Sequence, residues 1–185
     1  MFPDFTSYDS WFADWKGIMT IPAEQLADIP LGKVVPVRAG TYLVKIQSDP
    51  KTYAVEPFGK LRWIPTEALA INLFGNNWST RVRDLDVSQF ANYEIGDPLA
   101  FGEAPSGFIY RMAGGQWNAV VERTTHQLSD LARSANGLSS RFVSAVVPSA
   151  VSALTSGGEI GGYEPSLAGV VADGSAKISA PAFGS

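Results

Sequence analysis

Residues 41–75 read TYLVKIQSDPKTYAVEPFGKLRWIPTEALAINLFG, and their close succession of short apolar runs constrains the fold more than any other feature. In 42–47 apolar and polar positions alternate, which is typical of a half-buried strand. Two further apolar runs, 52–56 and 61–64, follow turns at 48–51 and 57–60, where proline and glycine favour chain reversal. The stretch therefore predicts a three-stranded antiparallel meander.

A short helix is predicted directly after the third strand. Thr66 can cap its N-terminus, and Glu67 would lie at the positive end of the helix dipole. Leu69 and Leu73 are four residues apart and share one helix face, and Gly75 is a typical residue after a helix end. We therefore treat 39–99 as one complete unit, in which a meander is followed by a helix.

The first forty residues contain landmarks of this unit in the same order, 62 to 64 positions earlier. The matched pairs are Pro3 and Pro65, Phe12 and Phe74, Trp15 and Trp78, Leu26 and Phe90, and Gly32 and Gly96. Such ordered agreement predicts an internal repeat, with 1–38 as the C-terminal part of a truncated first copy.

Within this first copy, an aromatic stripe predicts a helix over Phe5–Trp15, capped by Thr6 or Ser7. A short strand at 18–21 and a helical turn at 22–27 would follow. Because 1–38 contains no meander of its own, we expect Trp11 and Trp15 to pack on the sheet formed by 43–64.

Residues 100–160 are interpreted as a divergent third copy. Phe108–Met112 lies 66 residues after Tyr42–Ile46, and a helical stripe ends near Gly137. Phe142 and Val146 each lie 64 residues after a landmark of the second copy, Trp78 and Val82. Residues 161–185 are rich in Gly, Ala and Ser and read as a tail or linker, although Val170, Val171 and Ile178 could add an edge strand.

The predicted fold class is therefore α+β, built from tandem small repeats. Each repeat would be a short antiparallel β-meander followed by a short helix, and the repeats would stack on one another. Stacking is expected because so small a unit buries too little apolar surface to be stable alone.

Composition excludes several classes of function. A net charge of −4 argues against a general nucleic-acid binder. The chain has no cysteine, so disulfides, thiol catalysis and zinc–thiolate sites are excluded. No run approaches the roughly 20 apolar residues of a membrane span. The start MFPDF has neither a basic nor an apolar signal region, so no signal peptide is expected in these residues.

Catalysis has little support, and we expect a protein that is not an enzyme and needs no cofactor. His126 is the single histidine, and its polar neighbours favour a surface position just before a helix. Asp84 and Asp86 flank one residue, so a strand would place both on one face, where they could bind a hard cation. An enzyme with a carboxylate or metal site there is the least favoured alternative, because the neighbouring arginines favour a solvated face.

Carbohydrate or cell-wall-polymer binding is a second alternative, because exposed aromatic rings can form a binding platform. The candidate binding residues are Tyr53, Arg62, Trp63 and Trp78. The competing interpretation is that these aromatic residues recur because they form the core of a small repeat.

The run LVKIQSDPKTYAVEPFGKLRWIPTEALAINLFGNNW, followed by RVRDLDVSQFANYEIGDPL, resembles a repeat module of large surface and secreted proteins of bacteria, notably of candidate-phyla lineages. That module has the form LVKxxSDPxVYxVExxGxLRWI, followed by a helix, GxxW and a closing NYxxG. Residues 2–32 are similar to the end of a preceding copy, so the resemblance covers about 2–99.

The resemblance implies a non-catalytic module with a scaffolding or binding role in a bacterial envelope or secreted protein. It implies an extracellular or cell-surface location. The implied partners are cell-wall or extracellular polysaccharide, or neighbouring repeats of the same protein.

Overall fold

Two mixed β-sheets form the centre of the protein in a computed structural model that describes residues 1–30, 32–146 and 148–168. The first sheet contains β1 (Leu43–Ile46), β2 (Asp49–Glu56), β3 (Lys60–Trp63), β4 (Val82–Leu85) and β5 (Glu94–Ile95). The second sheet contains β6 (Ile109–Arg111), β7 (Trp117–Val121), β8 (Thr124–Gln127), β9 (Ser144–Ala145) and β10 (Thr155–Ser156). The helices of the described residues are α1 (Phe5–Trp11), α2 (Ala23–Ala27), α3 (Glu67–Phe74), α4 (Val87–Phe90), α5 (Asp130–Ala135) and α6 (Pro165–Ala168). The predicted α+β class is confirmed.

The strand order is the same in the two sheets. It is β4-β1-β2-β3-β5 in the first and β9-β6-β7-β8-β10 in the second. The three central strands are consecutive in the chain and antiparallel. The two later strands pair in parallel with the first and third of them, one at each edge. Each sheet is therefore a meander that is extended on both sides by chain returning after a helix.

Helix α3 lies in an apolar cluster that both sheets share. Leu69, Ala70, Leu73 and Phe74 are buried, and they pack with residues of the first sheet such as Leu43 and Ala54. The same cluster contains residues from the second sheet and the segments around it, which are Phe108, Tyr110, Val120, Val146, Ala150 and Val151. The two sheets are thus joined through one core.

Two further clusters cover the outer faces of the sheets. On the first sheet, Val44, Tyr53, Val55 and Leu61 pack with Phe90 of α4. On the second sheet, the buried residues are Ile109, Ala119, Leu128, Ala132 of α5 and Leu167 of α6.

The backbones of the two sheets meet at Gly40 and Gly107. Each glycine precedes the first strand of its sheet, and each donates its N–H to a central strand, at Val55 (3.2 Å) and Val120 (2.8 Å). Both have positive φ, 71° and 83°. A Cβ on Gly40 would lie 2.0 Å from the carbonyl oxygen of Gly107, so only glycine fits this contact.

The N-terminal segment differs from the prediction in three ways. Helix α1 ends at Trp11 rather than Trp15, and its N-cap is Asp4, whose carboxylate accepts the N–H of Ser7 at 2.7 Å. Residues 18–21 form no strand.

The predicted packing of α1 on 43–64 is not found. Trp11 donates to the carbonyl of Pro36 at 2.9 Å and lies under Arg38, and Trp15 stacks on Tyr8 with 4.3 Å between ring centroids. Neither tryptophan belongs to the cluster on the outer face of the first sheet. Helix α1 instead reaches Tyr42, which directly precedes β1, through its polar face, where Asp9 accepts a hydrogen bond from the Tyr42 hydroxyl.

The second sheet also departs from the predicted register. Ser144 of β9 pairs with Tyr110, as Arg83 of β4 pairs with Val44. The sequence match made Val146 the equivalent of Val82, whereas these pairs make Val143 its equivalent, three residues earlier in the chain. Strand β8 was not predicted at all, because its residues TTHQ show no apolar alternation.

Part of the predicted tail is packed on the second sheet. Leu167 of α6 is 2% exposed, and the carbonyl of Gly161 accepts a hydrogen bond from Ser129 at 3.2 Å. Residues 161–168 are therefore not a free linker. The rest of the predicted tail, including the possible edge strand at Val170, Val171 and Ile178, lies outside the described residues.

Candidate binding site

A cleft of about 260 Å³ lies where β3 turns into α3, and it brings together two of the predicted site residues, Trp63 and Trp78. The start of β2 forms one wall, and the first turn of α3 forms the other. The lining residues are Pro50, Lys51, Thr52, Trp63, Ile64, Pro65, Thr66, Glu67, Ala70 and Trp78.

Both tryptophans are half-buried, so each belongs partly to the core and partly to the cleft. Trp63 packs against the outer cluster of the first sheet, and Trp78 packs against the cluster shared by the two sheets. The Nζ atom of Lys51 lies 5.4 Å from the centroid of Trp63, within the range of a cation–π contact. The cleft is thus fixed by core packing and carries a cation on one aromatic wall.

The turn between strand and helix shapes the other wall. Pro65 ends the strand, and the Thr66 hydroxyl accepts the N–H of Leu69 at 3.2 Å, which caps α3. Glu67 is exposed in the first helical turn, and the small side chain of Ala70 leaves room behind it. The cleft therefore combines apolar surfaces with a carboxylate and an ammonium group, a composition suited to a small ligand with apolar faces and polar edges.

Tyr53 does not line the cleft. It is 3% exposed and packs against Phe90 with 5.8 Å between ring centroids. Burial, and secondarily the charge of Asp49, raises the pKa of the Tyr53 hydroxyl. Tyr53 therefore belongs to the core.

Arg62 is directed away from the cleft into a network of ion pairs. Its guanidinium lies 3.3 Å from a carboxylate oxygen of Glu56 and 3.3 Å from one of Glu103. It also donates to the carbonyls of Asp97 and Pro98. The network joins the first sheet to the segment that leads to the second.

Glu103 is the centre of this network, because it also pairs with Arg123 of the second sheet region. Burial would raise the pKa of Glu103, but the N–H of Ala100 and the charges of Arg123 and Arg62 outweigh it and lower the pKa. Glu103 is held in its charged form between Arg62 and Arg123, and it therefore links the two sheets.

The carboxylates of Asp84 and Asp86 do not share a strand face. Asp84 lies in β4 and pairs with Lys45 at 2.9 Å, whereas Asp86 follows the strand and caps α4. Hydrogen bonds from the hydroxyl and the backbone N–H of Ser88 lower the pKa of Asp86. The prediction of a shared face is wrong because the chain turns into α4 at Asp86.

His126 lies within β8, a strand that was not predicted, and α5 begins four residues later at Asp130. Its Nδ1 is 2.9 Å from the carbonyl oxygen of Gly158. Across residues 1–30, 32–146 and 148–168, no three His, Cys, Asp or Glu side chains are grouped in a way that could hold a metal ion.

A second cavity, of about 30 Å³, lies between α1 and the segments before β1 and after α5. It has room for a water molecule but not for a larger ligand. Asp9 borders it and accepts hydrogen bonds from Tyr42 and from Arg141 at 3.0 Å. Although burial would raise the pKa of Asp9, the bonds from Arg141 and Tyr42 lower it.

The sequence did not predict Lys51, Thr52 and Glu67 as cleft residues. Lys51 and Thr52 come near Trp63 only through the pairing of β2 with β3, in which Tyr53 lies opposite Trp63. Glu67 was noted only for its effect on the helix dipole. The usable signal was the position of Pro50 and Pro65, which mark the ends of adjacent strands.

Comparison with known proteins found no matching family model, no matching curated protein and no matching solved structure. Among the described residues, no helix has the length and apolar character needed to cross a membrane.

Proposed function

We propose that the chain is a non-catalytic repeat module of a bacterial envelope or secreted protein, with a scaffolding and binding role. The observation that carries this proposal is the common strand order and strand direction of the two sheets. Each sheet places its helix and its returning edge strands at the same points in the chain, which is the expected result of an internal repeat.

Helix capping supports the same equivalence. The N-caps of α1, α3 and α5 are Asp4, Thr66 and Ser129, spaced 62 and 63 residues apart. In each case the side-chain oxygen accepts the N–H three residues later. In this proposal, residues 1–38 correspond to the second half of a unit, and two units that contain a full sheet follow.

The scaffolding role follows from how such units are stabilised. A five-stranded sheet of short strands buries little apolar surface, so neighbouring units gain stability by sharing a core. The cluster around α3, with residues from both sheets, is such a shared core. A surface location and neighbouring repeats as partners are part of this proposal, and both rest on the resemblance of 2–99 to bacterial surface modules.

An experimental structure tests the equivalence directly. Superposition of residues 40–95 on 107–156 should bring all five strands and the intervening helix into coincidence. A different strand order or direction in either sheet would refute the repeat. Immunodetection in fractionated cells that express the natural gene should find the protein in the envelope or the medium, and a purely cytoplasmic signal would refute the surface role.

Saccharide binding is a second candidate function, favoured by one observation: Trp63 and Trp78 line the same cleft. The apolar C–H faces of a sugar ring pack well against aromatic rings, and its hydroxyls require hydrogen-bonding groups at the edges. Lys51 and Glu67 provide such groups. The ligand class is therefore a neutral or amino sugar of a cell-wall or extracellular polysaccharide.

Titration with soluble peptidoglycan fragments and purified cell-wall polysaccharides, followed by tryptophan fluorescence and calorimetry, tests this candidate. Trp63→Ala should weaken binding by about tenfold or more. Trp117→Ala is the matched control, because Trp117 is also a half-buried strand tryptophan but lies beneath Arg111 and Arg133, outside the cleft. Equal losses in both variants, or no binding by the parent, would refute a site at the cleft.

A further inference from the structure

The N-terminal segment carries an aromatic cluster on the outer face of α1. Its rings contact one another at centroid distances of 4.3 to 5.9 Å, and they belong to Phe2, Phe5, Tyr8, Phe12 and Trp15. Phe5, Phe12 and Trp15 are 62%, 49% and 61% exposed. The opposite face of α1 is polar: Ser7 and Ser10 are buried, and Ser10 accepts the N–H of Arg38 at 2.9 Å.

This arrangement reverses the usual orientation of an amphipathic helix, whose apolar face is normally buried. Exposed apolar surface continues beyond α1, at Ile18, Met19, Leu26 and Ile29, each more than half exposed. Exposed apolar side chains in this number are typical of a surface that contacts another protein or a membrane.

The equivalent positions of the following unit show what covers such a surface. The spacing of 62 residues between the N-caps of α1 and α3 places Phe12 at the position of Phe74. Phe74 is 7% exposed and packs in the cluster that contains Leu43 and Ala54 of the central meander. The same spacing places Phe2 and Tyr8 at the positions of Ile64 and Ala70, which are 6% and 1% exposed.

The segment after α1 agrees with this comparison. The spacing of 64 residues between the starts of α2 and α4 places 18–21 at the position of β4. Strand β4 pairs in parallel with β1, which provides the backbone hydrogen bonds between the two strands. Residues 18–21 have no such neighbour and form no strand, although their sequence predicts one.

We infer that the surface formed by the aromatic face of α1 and residues 18–21 binds a three-stranded antiparallel β-meander from a further unit of the same kind. The meander would cover the aromatic face as β1–β3 cover α3, and its first strand would pair in parallel with 18–21. The inference rests on the proposed equivalence of the units, and it adds a binding partner and a register that the equivalence alone does not give.

A graft tests the inference with the whole chain. A second copy of residues 34–63 is inserted directly before Phe2, in place of Met1, so that the added third strand runs into α1 as β3 runs into α3. Compared with the parent, the graft should show new protection of the backbone amides of 18–21 from hydrogen exchange. The fluorescence emission of Trp15 should also shift to the blue. This emission is obtained by subtracting the spectrum of the corresponding Trp15→Phe variant from that of each protein.

The matched control is the same graft with Leu43→Asp in the added copy only. Leu43 is 1% exposed and belongs to the cluster that buries α3, so the charge should block docking of the added meander. Protection of 18–21 and the blue shift should then be absent. If the control shows the same changes as the graft, or if neither protein shows them, the inference is overturned.

A second measurement uses Phe12→Ser in the parent and in the graft. In the parent, where Phe12 is half exposed, the melting temperature should change little. In the graft it should fall clearly, because Phe12 would then be buried as Phe74 is. Equal decreases of the melting temperature in the parent and the graft would overturn the inference. Self-association of the parent that Phe12→Asp abolishes would also overturn it, because the surface would then bind a second copy of the chain.

The two proposals fail separately. If the two sheets superimpose in an experimental structure and the amides of 18–21 remain unprotected in the graft, the repeat stands and only the docking surface is refuted. If the sheets do not superimpose, the repeat is refuted whatever the graft shows.

Discussion

The first and second sheets have the same strand order, but the helices that follow their third strands are buried to different extents. Helix α3 buries four residues because it lies between the two sheets, whereas α5 buries only Ala132. The second sheet covers one side of α5, and the segment that contains Leu167 contributes to the same cluster. A helix between two sheets therefore needs a larger apolar surface than a helix that is covered by one sheet, although the N-caps of the two helices are equivalent.

The largest expected effect comes from breaking the core that the sheets share. Phe108 is fully buried and contacts the ring of Phe74 at 5.3 Å between centroids. Phe108→Ala should lower the free energy of unfolding by about 3–5 kcal/mol, while leaving a single transition in chemical denaturation. Leu131→Ala is the control, since Leu131 is 67% exposed and should change stability by about 0.5 kcal/mol or less. Two separate transitions in the parent would contradict a shared core.

The glycine contact between the sheets should be nearly as sensitive. Gly40→Ala places a methyl group against the carbonyl of Gly107 and forces a left-handed φ, which together should cost about 2–4 kcal/mol. Gly75→Ala shares the positive φ, in a region that is nearly restricted to glycine, but meets no atom within 4 Å. It should therefore cost about 1–3 kcal/mol, less than Gly40→Ala. Thermal and urea unfolding measure both values. Equal costs would show that the two backbones are not in contact.

The ion-pair network between the sheets should give a smaller, pH-dependent effect. The pKa of Glu103 is lower in the folded state than its ordinary value of 4.5, so the carboxylate stabilises the fold above about pH 4.5. This contribution is lost as the pH falls through the lowered pKa. Glu103→Gln should reduce stability by about 1–2 kcal/mol at neutral pH and flatten the loss of stability below about pH 4.5. An unchanged acid dependence would show that the network does not lower the pKa of Glu103.

The smallest expected difference concerns the helix caps. Thr66 and Ser129 accept equivalent hydrogen bonds, at 3.2 and 3.0 Å. Thr66→Ala and Ser129→Ala should each cost about 1 kcal/mol, measured by chemical denaturation. Loss from one variant without the other would show that only one of the two helices depends on its cap.

The parts of the fold that the sequence predicts are those with a strong local signal. The meander of β1–β3 and helix α3 follow from apolar alternation, turn residues and a cap at Thr66. The two-residue strands β5, β9 and β10 carry no periodicity, because they pair through backbone groups and are only two residues long. Strand β8 was not predicted because a polar sequence without apolar alternation is also typical of a loop.

The candidate site was predictable only in part for a related reason. The aromatic residues near the strand ends were visible in the sequence, and two of them, Trp63 and Trp78, share a cleft. Tyr53 and Trp63 pair directly across β2 and β3 and face the same side of the sheet. They differ because Trp63 is the last residue of β3, beside the turn into α3, whereas Tyr53 is covered by Phe90. The sequence does not show which aromatic residue α4 covers. Arg62 was selected as a polar neighbour of the aromatic residues, but it pairs with Glu103, which is far away in the sequence.

The short edge strands have a consequence for crowded or repetitive surroundings. A long, flat sheet edge offers unpaired N–H and C=O groups to other chains and promotes aggregation. Here the edges are formed by β4, β5, β9 and β10, which are only two to four residues long. Many such sheets could therefore be placed side by side at high local concentration with little risk of amyloid-like pairing between them.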